Sequence, residues 1–315
     1  MISLRYHIVS LAAAFLALAV GVVLGSSTLS GSLLSGLADN RDELAERVTE
    51  LEAERSTLQA RLAEADGFAA SVGPRVVADR LDERSVVLFT TEDADSRHRD
   101  ALVELIESSG AEVTGEVGLT GAFADPSKAD RLVEIATRLQ PSGAELPTSG
   151  GPGSLAGALL GQTLLLDADS AEEQSSSDER TAALTGLEEG GFVETSGDVE
   201  PAQLAVVLTG GDVDDGRAGD RAATVARFAA QLDRAGAGTV LAGSEGSATG
   251  SGAIGVARAD STITDMLSTV DHVDTAAGRV VTVLALRRQL DGEAEQYGVA
   301  ANADRPAPGV DATGS

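Results

Sequence analysis

The side chains in this chain that could hold a metal or attack a substrate are few and scattered. There are three histidines, His7, His98 and His272, no cysteine, and two methionines, Met1 and Met266. Soft cations select thiolate and thioether sulfur, and borderline ones select imidazole, in each case several ligands at once. His98 opens a charged helix and His272 falls in a polar turn, so both read as solvated. No serine occupies a G-x-S-x-G elbow, which leaves acyl-transfer chemistry without a nucleophile. The best-placed polar cluster follows the apolar run Ala205–Thr209 and comprises Gly210, Gly211, Asp212, Asp214, Asp215 and Gly216. A glycine turn at the carboxyl end of a buried strand is where an open α/β sheet places a ligand crevice. The aspartates depart from calcium-loop spacing, since Gly216 stands where a third ligand would fall, and a solvated turn is the preferred reading. The stretch GSEGSATGSG, residues 243–252, offers backbone donors without a basic residue and reads as a flexible loop. No G-x-G-x-x-G opens a helix and no G-x-x-x-x-G-K-[ST] occurs, so the backbone signatures of dinucleotide and phosphate binding are missing. No catalytic or cofactor-binding residue is assigned, no cofactor is required, metal ligands remain unassigned, and the chain reads as a non-enzyme.

The elements around these residues alternate strand and helix patterns. Arg84–Thr91 reads as a strand and Ser96–Ser109 as its amphipathic helix, with Leu102, Leu105 and Ile106 on one face. Ala111–Gly118 and Ser127–Gln140 repeat the pair, and Pro141–Gly153 reads as a loop or linker. Helices are expected over Leu155–Leu166, Asp178–Glu189, closed by Gly190 and Gly191, and 221–235. Strands are expected at Ala205–Thr209, Gly238–Leu241, Ala253–Ala257 and Arg279–Leu286, the last being the longest. Such alternation predicts an α/β domain with a helix-covered, largely parallel sheet. The strands are short, continuously apolar and separated by helices, unlike the ten-residue alternating segments of a transmembrane barrel.

Ahead of that domain lies IVSLAAAFLALAVGVVLG, Ile8–Gly25, eighteen residues without charge or proline. At about 1.5 Å rise per residue it just crosses a hydrocarbon core. Arg5 and the amino terminus precede it, and the next basic residue is Arg41, so the amino terminus is expected to stay cytoplasmic. A retained anchor is the preferred reading; small residues at Gly21, Gly25 and Ser26 keep a cleaved signal segment open. Leu37, Leu44, Leu51 and Leu58 then recur every seven residues, with Leu34, Val48 and Leu62 in the second position and Arg41 and Arg55 interrupting it. This pattern predicts a coiled-coil stalk and a homo-oligomer through residues 34–62, against a single amphipathic helix folded onto the globular part. Gly67, Gly73 and Pro74 are expected to end the helix. The expected organisation is anchor or signal segment 1–30, stalk 31–74, α/β domain 75–298, and tail 299–315, disordered from Asn302.

Composition narrows the partners. The formal charge of −27 and pI near 4.3 repel nucleic acid and anionic lipid headgroups and favour cations. Aromatic residues make up 3% of the chain, with no tryptophan, so binding by base stacking is excluded as a main mode. Hydrophobic residues make up 43%, enough for a packed core of Val, Leu, Ile and Ala.

The opening MISLRYHIVSLAAAFLALAVGVVLGS, the leucine-spaced stalk, LTGG at 208–211, VARFAAQL at 225–232, LAGSEGSA at 241–248 and STVDHVDTAAGRVVTVLAL together resemble the MctB family, the mycobacterial copper transport protein B family. The resemblance covers Met1 to about Gly298 and rests on the collinear set. It implies a role in copper homeostasis in the cell envelope, with copper ions and a membrane as partners and an outer-membrane, channel-like placement. The residues support the envelope and not a channel, and no family residue carries over as a copper ligand. The alternative is an anchored scaffold that recruits envelope partners without transport of its own; a weaker third reading is an anchored enzyme using the crevice near Gly210 and Asp212.

Overall fold

In the computed structural model, residues 4–143, 147, 151–211 and 216–309 are described. The chain forms two compact units, one up to Ala65 and one from Asp66 onward. Helix α1, Leu4–Val77, supplies all that is described of the first unit and opens the second. Within the first, Arg5–Gly25 is long and apolar enough to cross a membrane, and none of it is buried by other parts of the chain. Further along, Leu44, Val48, Leu51, Leu58 and Leu62 are all exposed in the single chain. The side chains of Leu34 and Leu37 lie outside the described residues.

The glycines and proline expected to end the helix do not. α1 runs through Gly67 and Gly73 and carries Pro74 inside its last turn before stopping at Val77. Tertiary contacts offset the missing N–H of Pro74. Asp66 Oδ1 accepts a hydrogen bond from Ala276 N at 2.5 Å, capping another helix, and a Cβ at Gly73 would lie 2.9 Å from Val280 Cγ2. Val77 and Leu81 are fully buried. The second unit thus includes the end of α1.

Among its described residues, seven strands form one open sheet in the order β3-β2-β1-β4-β5-β6-β7. They are β1 Ser85–Thr91, β2 Glu112–Leu119, β3 Val193–Thr195, β4 Leu204–Thr209, β5 Thr239–Gly243, β6 Ser268–Val270 and β7 Gln296–Tyr297. Every neighbouring pair is parallel except β2 with β3. The expected α/β class, with its largely parallel sheet, is the one observed.

Side chains alternate between two buried faces. Val86 and Leu88 of β1, with Leu204, Val206 and Leu208 of β4, join Val77, α2 (Ser96–Ser108) and α9 (Ala276–Gln289). Val87 and Phe89, with Ala205 and Val207, face the opposite cluster, built with α3 (Ala129–Arg138), α4 (Gly151–Leu164), α5 (Ser177–Glu189), α6 (Ala218–Asp233), α7 (Ala253–Arg258) and α8 (Ser261–Thr264). Burial on both sides explains why Val86–Phe89 of β1 and Leu204–Leu208 of β4 are continuously apolar. Aromatic edges finish the second core, where Phe228 meets Phe89 and Phe123 edge-on at ring centroid distances of 5.2 and 5.1 Å. The supposed linker 141–153 already contains the start of α4. Gly153, Gly157 and Gly161, four apart, let α4 lie against α6, since a Cβ at 157 would stand 2.7 Å from Phe228 O.

Two expected strands are helices. Ala253–Ala257 lies in α7, and Arg279–Leu286 lies in α9. β-branched residues fit both states, and context decides. Thr275 caps α9 by accepting from Gly278 N at 3.0 Å, and the Asp66 carboxylate accepts from Ala276 N. The short strands β3, β6 and β7 were not expected; two or three residues give no readable alternation.

The tail is also ordered further than expected. Asn302 Oδ1 accepts from Arg258 at 2.9 Å, and Asp304 N donates to Gln296 O at 2.7 Å. Residues 310–315 lie outside the described residues. The anchor for this region is a buried ion pair. Arg258 donates to Asp271 Oδ2 at 2.7 Å, to Thr269 Oγ1 at 2.9 Å and to Tyr297 O at 2.7 Å, and both charged side chains are essentially inaccessible. Burial pushes the Asp271 carboxyl up, but the adjacent His272 and the hydrogen bonds from Val299 N and Arg258 overcome it and hold the group at about 2. Replacing Asp271 with Ala strands the Arg258 charge and is expected to cost about 3–5 kcal/mol in urea unfolding. Because the folded value lies below the ordinary ~3.9, this contribution is complete above about pH 4 and lost as pH falls towards 2, which an acid titration of stability in the wild type and Asp271→Asn checks.

Candidate crevice at the strand carboxyl ends

The strand order reverses between β1 and β4: β1 connects outward to β2, and β4 connects outward to β5 on the other side. Such a reversal parts the loops beyond the strand carboxyl ends and leaves a crevice. A cavity of about 330 Å³ lies there. β1 delivers Thr91, Glu92 and Asp93, the segment after β2 delivers Thr120, Gly121 and Phe123, and β4 delivers Thr209 and Gly211. α6 closes one wall with Ala218, Arg221, Ala222 and Val225, whose spacing puts them on one helix face. Ser251, Gly252 and Ala253, leading into α7, close the far end.

Close backbone approach shapes the mouth. A Cβ at Gly210 would stand 2.5 Å from Asp93 O, and one at Gly211 would collide with Glu245 O. Glycine is therefore required sterically where the sequence showed a glycine turn. Thr91 Oγ1 donates to Asp93 Oδ1 at 2.5 Å, which ties the acidic rim to the end of β1, and Thr120 Oγ1 donates to Gly191 O at 2.7 Å. Next to the crevice, Asp125 accepts from Ser127 N at 2.9 Å and faces Arg217 at 3.8 Å. The Ser127 hydrogen bonds first, and then the Arg217 charge, hold its carboxyl below the ordinary range.

The expected crevice is present, at the end of the expected strand. Gly211 lines it and Gly210 packs at its mouth, whereas Asp212, Asp214 and Asp215 lie outside the described residues. The 243–252 stretch begins inside β5, and its Ser251 and Gly252 reach the crevice. Glu92, Asp93 and Arg221 were missed as rim residues. The acidic pair directly follows β1 in RSVVLFTTED, so the rule that pointed to the glycine turn would also have found it.

The candidate soft or imidazole ligands do not converge. His7 lies in the exposed apolar part of α1, and His98 is half-buried in α2 with Nδ1 lacking a hydrogen-bond partner. His272 is the correction: the polar turn is not solvated, the residue is only 8% exposed, and its Nδ1 lies 3.5 Å from Asp271 Oδ1. Asp271 is already bound to Arg258, so His272 packs beside a buried ion pair, with Nδ1 lacking a hydrogen-bond partner. Met266 packs against the core, and Met1 lies outside the described residues. Among the described residues, no three His, Asp or Glu side chains are grouped to hold a metal ion.

The family model described as "Copper transport outer membrane protein, MctB" matches residues 1–308. The chain belongs to the MctB family. Relatives named copper transporter MctB occur in Mycobacterium bovis and Mycobacterium tuberculosis, each 40% identical over 296 residues, covering 93% of this chain and 94% of theirs. The Mycobacterium leprae relative of the same name is 40% identical over 307 residues, covering 95% and 96%. Family membership therefore spans both the apolar helix and the α/β unit. In this MctB-family chain the crevice offers oxygen and guanidinium groups around an apolar floor, with no sulfur or imidazole among its lining residues. Placing Ala at Gly210 forces the Asp93 segment aside and is expected to cost about 1–3 kcal/mol in thermal or urea unfolding.

Proposed function

We propose that this chain is a single-pass cell-envelope protein of copper homeostasis, anchored by the start of α1 with its α/β domain on the extracytoplasmic side. The observation that carries this reading is the family match over residues 1–308, which takes in the membrane-length helix as well as the domain. Charge supports the orientation, since Arg5 and the amino terminus precede the apolar stretch and Arg41 is the next basic residue. An outer-membrane placement follows the description of the family.

The ligand chemistry limits how the chain would act on copper. Copper(I) wants sulfur and copper(II) wants imidazole, and this chain has no cysteine and three histidines on separate elements. Acidic side chains provide weak oxygen contacts, consistent with the net charge of −27. Copper thus meets this chain transiently or through partner proteins, and the reading is non-enzymatic. The exposed leucines of α1 favour a second reading, in which the chain is an anchored scaffold and the copper effect is carried by what it assembles.

Copper entry into lipid vesicles containing the purified full-length protein separates the two, beside a variant lacking residues 1–30. Transport predicts copper flux that depends on the protein and disappears with the deletion. Stable vesicle attachment without flux, together with restored copper tolerance in a strain lacking the gene, would establish the scaffold. Restoration of neither flux nor tolerance would sink both readings.

A further inference from the structure

We propose that residues 43–62 of α1 form a parallel, in-register, two-stranded coiled coil with a second copy of this chain. The proposal rests on the anchored reading above and specifies the geometry of its association. Leu44, Leu51 and Leu58 take one core position of the heptad, and Val48, Arg55 and Leu62 take the other. In the single chain this seam faces solvent, with Leu44 64%, Leu51 63% and Leu62 69% exposed. A row of exposed leucines on a long charged helix is stable in water only when covered.

Direction follows from the anchor. Two copies whose apolar stretches, Arg5–Gly25, enter the same membrane from the same side must send the following helix the same way. Register follows from charge. In a parallel pair, the residue flanking the seam at position i meets position i+5 of the other strand. Arg47 therefore faces Glu52 of the second copy, and the symmetric contact repeats it. Arg55 is the polar core residue, and in register it lies beside Glu54 of the second copy. In register the two Arg55 side chains face each other and each is offset by Glu54 of the other copy, whereas a slip of seven residues would lose both Glu54 contacts and set Arg55 beside Arg47 or Arg61 of the second copy. Number follows from shape, because β-branched Val48 in one core position with leucines in the other favours two strands.

The chain has no cysteine, so single-cysteine variants of the full-length protein in membranes report contacts directly. Leu51→Cys is expected to form a disulfide-linked dimer, while Ala53→Cys, on the far side of the helix, is not. Glu54→Arg in the Leu51→Cys background places like charges around Arg55 and is expected to lower dimer yield about tenfold. Adding Arg55→Glu reverses the pair and is expected to restore it, an outcome that general misfolding would not produce. Equal cross-linking at 51 and 53, no cross-link at 51, failure of the reversal to rescue, or a mass of three copies in detergent would each overturn the proposal. Alkaline extraction of the same membranes separates the two levels. Release of the chain would overturn the anchored reading together with this one, whereas a retained chain without a Leu51→Cys dimer overturns the dimer alone.

Discussion

The constraint on which the α/β unit depends is burial of its central strands on both faces. β1, β4 and β5 are covered by α2 and α9 on one side and by α3, α4, α6 and α7 on the other, so the middle of each strand is buried on both faces. The middle of each strand is then apolar, with the threonines near the strand ends, and the buried backbone groups are paired within the sheet. Parallel pairing in turn requires long crossovers, which supply the covering helices. Once β1 and β4 lie side by side with their connections running in opposite directions, the crevice at their carboxyl ends follows from topology alone. Its acidic rim and glycine mouth are details set on that frame.

The far edge of the sheet adds electrostatics to packing. β6 and β7 contribute three and two residues, of which Val270 and Tyr297 enter the apolar core. Arg258 links them by bonding Thr269, Asp271 and the Tyr297 carbonyl at once, and Asp271 also accepts from Val299 N at 2.8 Å. A buried pair of this kind gains stability only when its remaining hydrogen-bonding capacity is filled, as it is here. The polar sequence after Gly298 is ordered because it supplies part of that filling.

Copper chemistry and membrane attachment pull the functional reading in one direction. A family named for copper transport is represented here by a chain with no thiol and with dispersed histidines, so selectivity from a preformed soft site is not available to it. What the chain does have is one long helix with an apolar stretch of spanning length followed by a charged stretch with an exposed leucine row, and an α/β unit bearing a crevice.

The sequence by itself determined the membrane-length helix, the seven-residue leucine repeat, the α/β class and the position of the crevice after Ala205–Thr209. Each of these signals is local and long enough to repeat, and periodicity is a property of the chain before it folds. Tertiary structure alone decided that RVVTVLAL is a helix, because its start is fixed by Thr275 and by Asp66, 210 residues earlier. It also decided that α1 continues past Pro74, that His272 is buried against Asp271, and that Glu92 and Arg221 line one cavity. All of these depend on contacts between residues far apart in the chain, and no pattern within a window of sequence encodes which distant partner will satisfy a cap, a charge or a packing face.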